Sequence, residues 1–426
     1  MHSAVHDTIA TVWRLESPVI VGALMRLVRD LGLAEELAQD ALVAALEHWP
    51  LNGLPDKPGA WLMTTAKRRA LDHLRHRQMS EARQGELAAD LAAMEALTVP
   101  DFSDSLDERR AGNVADDLLR LIFTACHPVL APDARVALTL KLLGGLSTHE
   151  IARACLATEA TIAQRIVRAK RRLAEADVPY EVPRGADLAP RLASVLEVVY
   201  LIFNEGYTAT SGTDWMRPAL CEEALRLGRM LLELAPTEPE VAGLLALMEL
   251  QASRTAARTD AQGRPVLLPD QVRGRWDRLL IRRGLAALER GERLAGGARG
   301  PYLLQAAIAA CHARAACWQD THWPDIAALY AELATVAPSP VVELNRAVAV
   351  AQAHGPEAGL SIVDGLLTHP ALARYHWLPS VQGDLLLKLG RRSEARVAFE
   401  RAAALAGNQQ ERGLLLARAA QAGDPA

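Results

Sequence analysis

The stretch Gly145–Leu173 reads GLSTHEIARACLATEATIAQRIVRAKRRL and predicts two short helices joined by a tight turn, the second strongly basic. Ser147 and Glu150 have the S-x-x-E spacing of a capping box, which opens a helix by satisfying two otherwise unpaired backbone N–H groups. Ile151, Ala152 and Cys155 give that helix a small apolar face. Thr158 suits the N-cap of the next helix, with Glu159 near its positive end. Ile162, Ile166, Ala169 and Leu173 follow the i, i+4, i+7, i+11 pattern of one buried stripe. Thr161, Arg165, Arg168 and Arg172 fall on another face, with Gln164 and Arg171 at its edge. A helix that packs on one side and offers guanidinium groups on another suits insertion into a DNA major groove. A solvated amphipathic surface helix would carry the same charges, so the remaining sequence has to decide. The turn of such motifs commonly uses Gly, and the aligned position is Leu156.

Upstream, Leu33–Trp49 (LAEELAQDALVAALEHW) predicts an amphipathic helix with Leu37, Ala41, Ala45 and His48 along one line. Glu36, Asp40, Val43 and Glu47 lie along another, an acidic stripe suited either to solvent or to a basic partner. A turn rich in Pro and Gly is expected at residues 50–59. Ala60–Arg77 (AWLMTTAKRRALDHLRHR) then combines packing residues, Trp61 among them, with Lys67, Arg68, Arg69, Arg75 and Arg77. Aromatic and basic side chains beside a loop are what single-stranded DNA capture uses, since rings stack on bases and cations hold phosphates. Residues 78–113 are acidic and broken by Pro100, which predicts a flexible linker with a helical patch near Leu87–Leu97. Asp116–Leu143 predicts two helices split at His127-Pro128 and restarted by Pro132.

Composition agrees with an all-α chain. Of 426 residues 50% are hydrophobic but only 4% aromatic, and Ala and Leu outweigh the β-branched types that favour strands. The formal net charge is −4, so any nucleic-acid contact must come from local basic patches, here 67–77 and 165–172. Five cysteines lack framework spacing, which fits a reducing compartment without disulfides. Cys311, His312, Cys317 and His322 have no metal-ligand spacing and read as packed side chains, so no metal or cofactor is expected. No signal peptide and no apolar run of membrane-spanning length is expected, the most apolar being Val19–Met25. Nucleotide-binding and hydrolase motifs are absent, and no enzymatic activity is expected.

Beyond Val178–Gly185 (VPYEVPRG), the chain from Leu188 predicts helical hairpins. Gly383, Gly390, Ala395, Phe399 and Ala402 match the small and aromatic positions of a tetratricopeptide repeat (TPR). Ala224, Leu231 and Pro236, and then Tyr330, Leu333 and Pro338, match in part. Loops are expected at Thr255–Gly274 and Arg290–Gly300. Such an array offers a concave face to a peptide, a small molecule or another domain.

With these residues laid out, the first part of the chain resembles a sigma factor of the sigma-70 family, of the short extracytoplasmic-function (ECF) type. AEELAQDALVAALEHW is similar to region 2.2, AWLMTTAKRRALDHLR to regions 2.3–2.4, and GLSTHEIARACLATEATIAQRIVRAKRRL to region 4.2. With IFNEGY at 202–207 and the repeat-like segments, the extension resembles that of the ECF group with a TPR-like C-terminal domain. The resemblance implies an all-α fold: region 2 at 1–77, a linker at 78–113, region 4 at 114–177 and a helical regulatory domain at 188–426. It implies that Glu36, Asp40, Val43 and Glu47 dock on the β′ clamp helices of core RNA polymerase. Trp61, Lys67, Arg68 and Arg69 would contact the melted −10 element of promoter DNA. Thr161, Gln164, Arg165, Arg168 and Arg172 would read the −35 element while region 4 leans on the β flap. Relatives often carry Asn where this chain has Arg68, and Lys or Arg where it has Ala163, so a promoter sequence is not implied. A cytoplasmic protein without membrane contact follows, its C-terminal domain acting in cis. The alternative is a helix-turn-helix regulator with a ligand- or peptide-sensing helical array, which would not need the acidic stripe or the Trp61 cluster.

Overall fold

The computed structural model describes residues 2–82, 107–155, 157–208, 216–261 and 264–423. All the regular elements among them are helical, with one isolated bridge between Thr259 and Pro265. The chain divides into two compact units, Met1–Val198 and Val199–Ala426.

The first unit begins with α1 (His2–Val28), α2 (Leu31–Asn52) and α3 (Pro58–Ala82). Asp30 caps α2 by accepting from the Leu33 N–H at 2.8 Å. Ala34, Leu37, Ala38, Ala41 and Ala45 then form its buried face. That face holds Trp49 as its last member, while His48, expected on the same line, is exposed. The helix also runs through Pro50 to Asn52, so the turn is shorter than the expected 50–59. A proline so near a helix end removes the donor for a single carbonyl, that of Leu46. The turn closes with the Gly53 N–H on the Trp49 carbonyl at 3.0 Å.

Helices α4 (Asp107–Ala125), α5 (Pro132–Leu142), α6 (Thr148–Ala154) and α7 (Glu159–Glu175) follow, and the split at His127-Pro128 is as the sequence predicts. Helix α1 packs on α2, α3 and α4, while α5 packs on α7. Ile20, Leu24, Leu62, Leu121, Phe123 and Leu138 are among the fully buried side chains. Within α1, Thr8–Val28 is long and apolar enough to cross a membrane, unlike the short run expected. Half of that window is buried in the protein, as in a core helix. The acidic segment at 78–113 is helical at both ends, to Ala82 and from Asp107. Its middle, with the patch expected near Leu87–Leu97, lies outside the described residues, as does Leu156.

The next helix, α8 (Leu188–Tyr207), gives its residues up to Val198 to the first unit. Ser194 Oγ donates to the Cys126 carbonyl at 2.6 Å, and Arg191 donates to that of Phe123 at 2.9 Å. These are carbonyls at the end of α4, where a helix leaves acceptors without internal partners. Buried Arg135 of α5 donates to Ser194 Oγ at 2.6 Å and pairs with Glu197 at 2.9 Å.

The second unit contains α9 (Pro218–Leu234), α10 (Pro239–Ala252), α11 (Arg278–Ala295), α12 (Pro301–Arg314), α13 (Trp323–Val336) and α14 (Pro340–His354). It ends with α15 (Pro356–Leu366), α16 (Trp377–Lys388), α17 (Arg392–Leu405) and α18 (Gln409–Gly423). Successive helices pack pairwise as antiparallel neighbours would, from α10 with α11 to α17 with α18. At α16–α17 a Cβ on Gly383 would stand 2.8 Å from the Phe399 ring, so only glycine permits this approach. Ala395, Phe399 and Ala402 are fully buried around it. The loop expected at Arg290–Gly300 is mostly helix: α11 continues to Ala295 because Leu288 and Gly291 keep its buried face intact, and Gly296 ends it. The segment between α10 and α11 is irregular, with short 3₁₀ turns.

Candidate nucleic-acid interface

Helix α7 has two opposed faces, and its ends are fixed by the residues that the sequence singles out. Ser147 N–H donates to Glu150 Oε2 at 2.8 Å, and Glu150 N–H donates to Ser147 Oγ at 3.1 Å, so the capping box forms. Partial burial raises the Glu150 carboxyl, but these Ser147 bonds and the Arg14 guanidinium outweigh it and hold the group below the usual carboxylate range. Thr158 Oγ1 accepts from the Thr161 N–H at 3.1 Å and caps α7. Ile162, Ile166, Ala169 and Leu173 are all buried. On the other face Thr161, Gln164, Arg168 and Arg172 are exposed, and Arg165 is half-buried. Arg165 is partly committed, since its guanidinium lies 3.2 Å from Asp133 at the start of α5. Arg168 and Arg172 pair with no carboxylate among the described residues. The free charge on this face is therefore carried by two arginines one turn apart, side chains of the kind that contact phosphates and base edges.

On α2 the acidic stripe is exposed at Glu36, Val43 and Glu47, with Val43 49% exposed, and half-buried at Asp40. An apolar residue left in solvent between carboxylates is what a docking face for a basic partner contains. Asp40 also pairs with Arg69 of α3 at 3.2 Å, so the stripe and the basic helix meet. Of the four basic-helix residues, Arg68 is exposed and Arg69 is tied to Asp40. Lys67 is half-buried, and its charge reaches Asp117, whose carboxyl is nevertheless raised by burial. Trp61 is half-buried and meets Trp49 edge-on, with ring centroids 5.4 Å apart. The geometry thus splits this set: Arg68 faces solvent, while Trp61, Lys67 and Arg69 also serve the fold.

Several contacts that sequence reasoning missed bind the helices of residues 2–82 to the later part of the first unit. Glu35 is 9% exposed; its Oε1 accepts from Gln39 at 2.9 Å and lies 3.7 Å from Lys141. The Lys170 ammonium of α7 lies against its Oε2 without hydrogen-bond alignment. Arg14 of α1 pairs with Glu150 of the capping box. Gly145, at φ +62°, turns the chain beside α1, where a Cβ would sit 3.0 Å from Ser17 Oγ and 3.1 Å from the Arg14 backbone. Tyr180, in the VPYEVPRG segment, directs its hydroxyl at the Gly22 and Asp117 carbonyls, at 3.1 and 2.9 Å. One signal was available for Glu35: it interrupts the buried series Leu31, Ala34, Ala38 and Ala41 with a charge. Nothing in the local pattern marks Lys141, Lys170 or Tyr180.

Comparison with known proteins gives three family matches. Residues 12–79 match the model described as Sigma-70 region 2, and residues 120–173 that described as Sigma-70, region 4. Residues 191–292 match a family of unknown function, DUF6596. An uncharacterised protein of Rhizobium meliloti is 45% identical over 395 residues, covering 92% of this chain and 91% of its own. A Mycobacterium tuberculosis protein named "Probable ECF RNA polymerase sigma factor SigI" is 27% identical over 177 residues, 42% of this chain and 58% of that one. The ECF RNA polymerase sigma factor SigK of Mycobacterium bovis is 30% identical over 158 residues, 36% of this chain and 77% of its own.

Proposed function

The chain belongs to the extracytoplasmic-function sigma factors of the sigma-70 family, and from that membership we propose how its parts divide the work of promoter-specific initiation. Core RNA polymerase docks on the stripe Glu36, Asp40, Val43 and Glu47 through its β′ clamp helices. Region 2 then holds the opened −10 element, with Arg68 on phosphate and Trp61 offering its free edge to an unpaired base. Strand opening costs about 1.4 kcal/mol per base-pair step, which captured bases and phosphates must offset. Region 4 leans on the β flap and lays α7 into the −35 duplex. Arg168 and Arg172 supply charge there, and Thr161, Gln164 and Arg165 reach base edges. The protein works by binding and not by catalysis, in the cytoplasm where polymerase and DNA are.

The observation that carries this reading is the two-sided α7: a capped helix, buried along Ile162–Leu173, with Arg168 and Arg172 exposed and unpaired opposite. The same unit presents the acidic stripe, which a regulator acting without polymerase has no use for. Run-off transcription with purified core polymerase tests it. Promoter-dependent transcripts are expected only when the chain is added, and their absence with tight DNA binding by the free chain would favour the helix-turn-helix regulator.

The second unit, a TPR-like array, regulates the first in cis and supports its activity more than it inhibits it, with a peptide or small molecule as its ligand. The test compares residues 1–198 with the full chain in the same assay. Lower activity from the folded fragment is expected; equal activity removes the role, and raised activity reverses its sign.

A further inference from the structure

The second unit contains a cavity of about 480 Å³, formed by one face each of α13, α14, α16 and α18 and closed on one side by residues 265–269. That volume lies in the range of pockets that enclose a small organic molecule. Its walls are aromatic, with Trp318, Trp323, Tyr330 and Trp377 all contributing. Trp318 and Trp323 meet edge-on at 4.8 Å and fix one another, so this surface is formed before any ligand arrives.

The cavity also carries polar side chains, and some of them lack partners. Arg418 and Asp384 pair with each other and leave little to offer. Glu411, 8% exposed, keeps one carboxylate oxygen without any hydrogen-bond partner. Its other oxygen is 3.3 Å from His376 Nε2, not aligned for a bond, and Arg258 adds positive field nearby. A buried acceptor left in this state is costly and calls for a donor. Lys388 lines the same cavity from its exposed rim and pairs with no carboxylate among the described residues. Asn345 and Gln352 stand two turns apart on the cavity side of α14, and neither amide has a partner among the described residues.

A buried carboxylate oxygen without a donor, an unpaired ammonium at the rim, two free amides and aromatic side chains together specify their complement. We propose that this cavity binds a zwitterionic dipeptide with bulky apolar side chains, its ammonium on Glu411 and its carboxylate on Lys388. The peptide bond between these ends both donates and accepts, as the Asn345 and Gln352 amides do. A free amino acid has no such bond and fills less of the volume. This assignment narrows the ligand class suggested above for the second unit. It rests on the cavity and not on transcription, so it can fail while the sigma-factor reading stands.

The test is calorimetric titration of the full chain with phenylalanyl-leucine, leucyl-leucine and tryptophanyl-leucine, each also as the N-acetyl and the C-amide derivative. At least one free dipeptide is expected to bind saturably with one-to-one stoichiometry. Phenylalanyl-leucine or leucyl-leucine binding should also perturb tryptophan emission. Blocking either end should weaken binding by about tenfold or more, the loss of a charge-assisted contact. Glu411→Gln should erase the difference between free and acetylated forms, and Lys388→Met that between free and amidated forms. Unchanged circular dichroism would separate these effects from misfolding. Absence of saturable binding by all three dipeptides up to about 10 mM overturns the proposal. So does binding indifferent to end-blocking, or variants that keep the wild-type discrimination.

Discussion

Glu35 and Glu36 are adjacent acids with opposite fates, one nearly buried between lysines and the other in solvent. Helical period explains Glu36, which falls on the stripe with Asp40, Val43 and Glu47. It also places Glu35 on the buried face, where only partners from distant sequence make a charge tolerable, and those partners are not legible locally. The arginines divide in the same way: sequence groups Arg165, Arg168 and Arg172, while Asp133 singles out Arg165 only in three dimensions. Arg168→Ala is therefore expected to weaken −35 binding by the polymerase-bound protein by roughly 1–3 kcal/mol if it meets a base, with the loss confined to one or two positions. Fluorescence anisotropy across single-base promoter variants reads this, and a uniform loss would make Arg168 a phosphate contact. His127 gives a pH dependence. Its Nδ1 accepts from the Val129 N–H at 3.1 Å, and burial, then the Arg191 charge, lower its pKa from 6.5 to about 4. Between those values the unfolded chain binds the extra proton, so stability falls as pH drops through this window and levels off below it. His127→Asn, whose carbonyl can still accept, should flatten that part of the slope in urea unfolding at pH 4–6.5.

At the level of elements, the helices to which function is assigned above were legible because their caps and stripes are local. Ser147, Glu150 and Thr158 fix their own ends, and Ile162 to Leu173 fix a face. Boundaries failed where a helix continues past a conventional stop, at Pro50 and at Arg290–Ala295, because burial of Trp49 and of Gly291 outweighs the local signal. The two prolines of the VPYEVPRG segment make it semi-rigid, and Tyr180 fastens it to α1 and α4. Tyr180→Phe removes that hydroxyl from two carbonyls and is expected to lower the stability of the first unit by about 1 kcal/mol. Chemical denaturation of the 1–198 fragment measures the difference, and an unchanged midpoint would mean that the ring alone holds the segment.

For the molecule as a whole, the sequence ends region 4 at residue 177 and marks Val178–Gly185 as the boundary, while the packing of the first unit continues to Val198. Residues 188–198 supply every bond that buried Arg135 makes to Ser194 and Glu197. Removing the partners of a buried charge costs about 3–5 kcal/mol. A fragment ending at 185 should therefore melt roughly 6–20 °C below one ending at 198, given about 2–4 °C per kcal/mol. Scanning calorimetry of the two fragments checks this, and equal melting temperatures would return the boundary to Gly185. The lysines on Glu35 have a separate consequence, for exchange between sigma factors. Regions 2 and 4 look like interchangeable modules, one for polymerase and the −10 element, one for the −35 element. In this chain a carboxylate of the first is compensated by Lys141 and Lys170 of the second. A chimera that takes region 4 from a relative without those lysines inherits a nearly buried, uncompensated acid. Swapping promoter specificity into this chain is thus constrained by a residue outside the contacts proposed for DNA and polymerase.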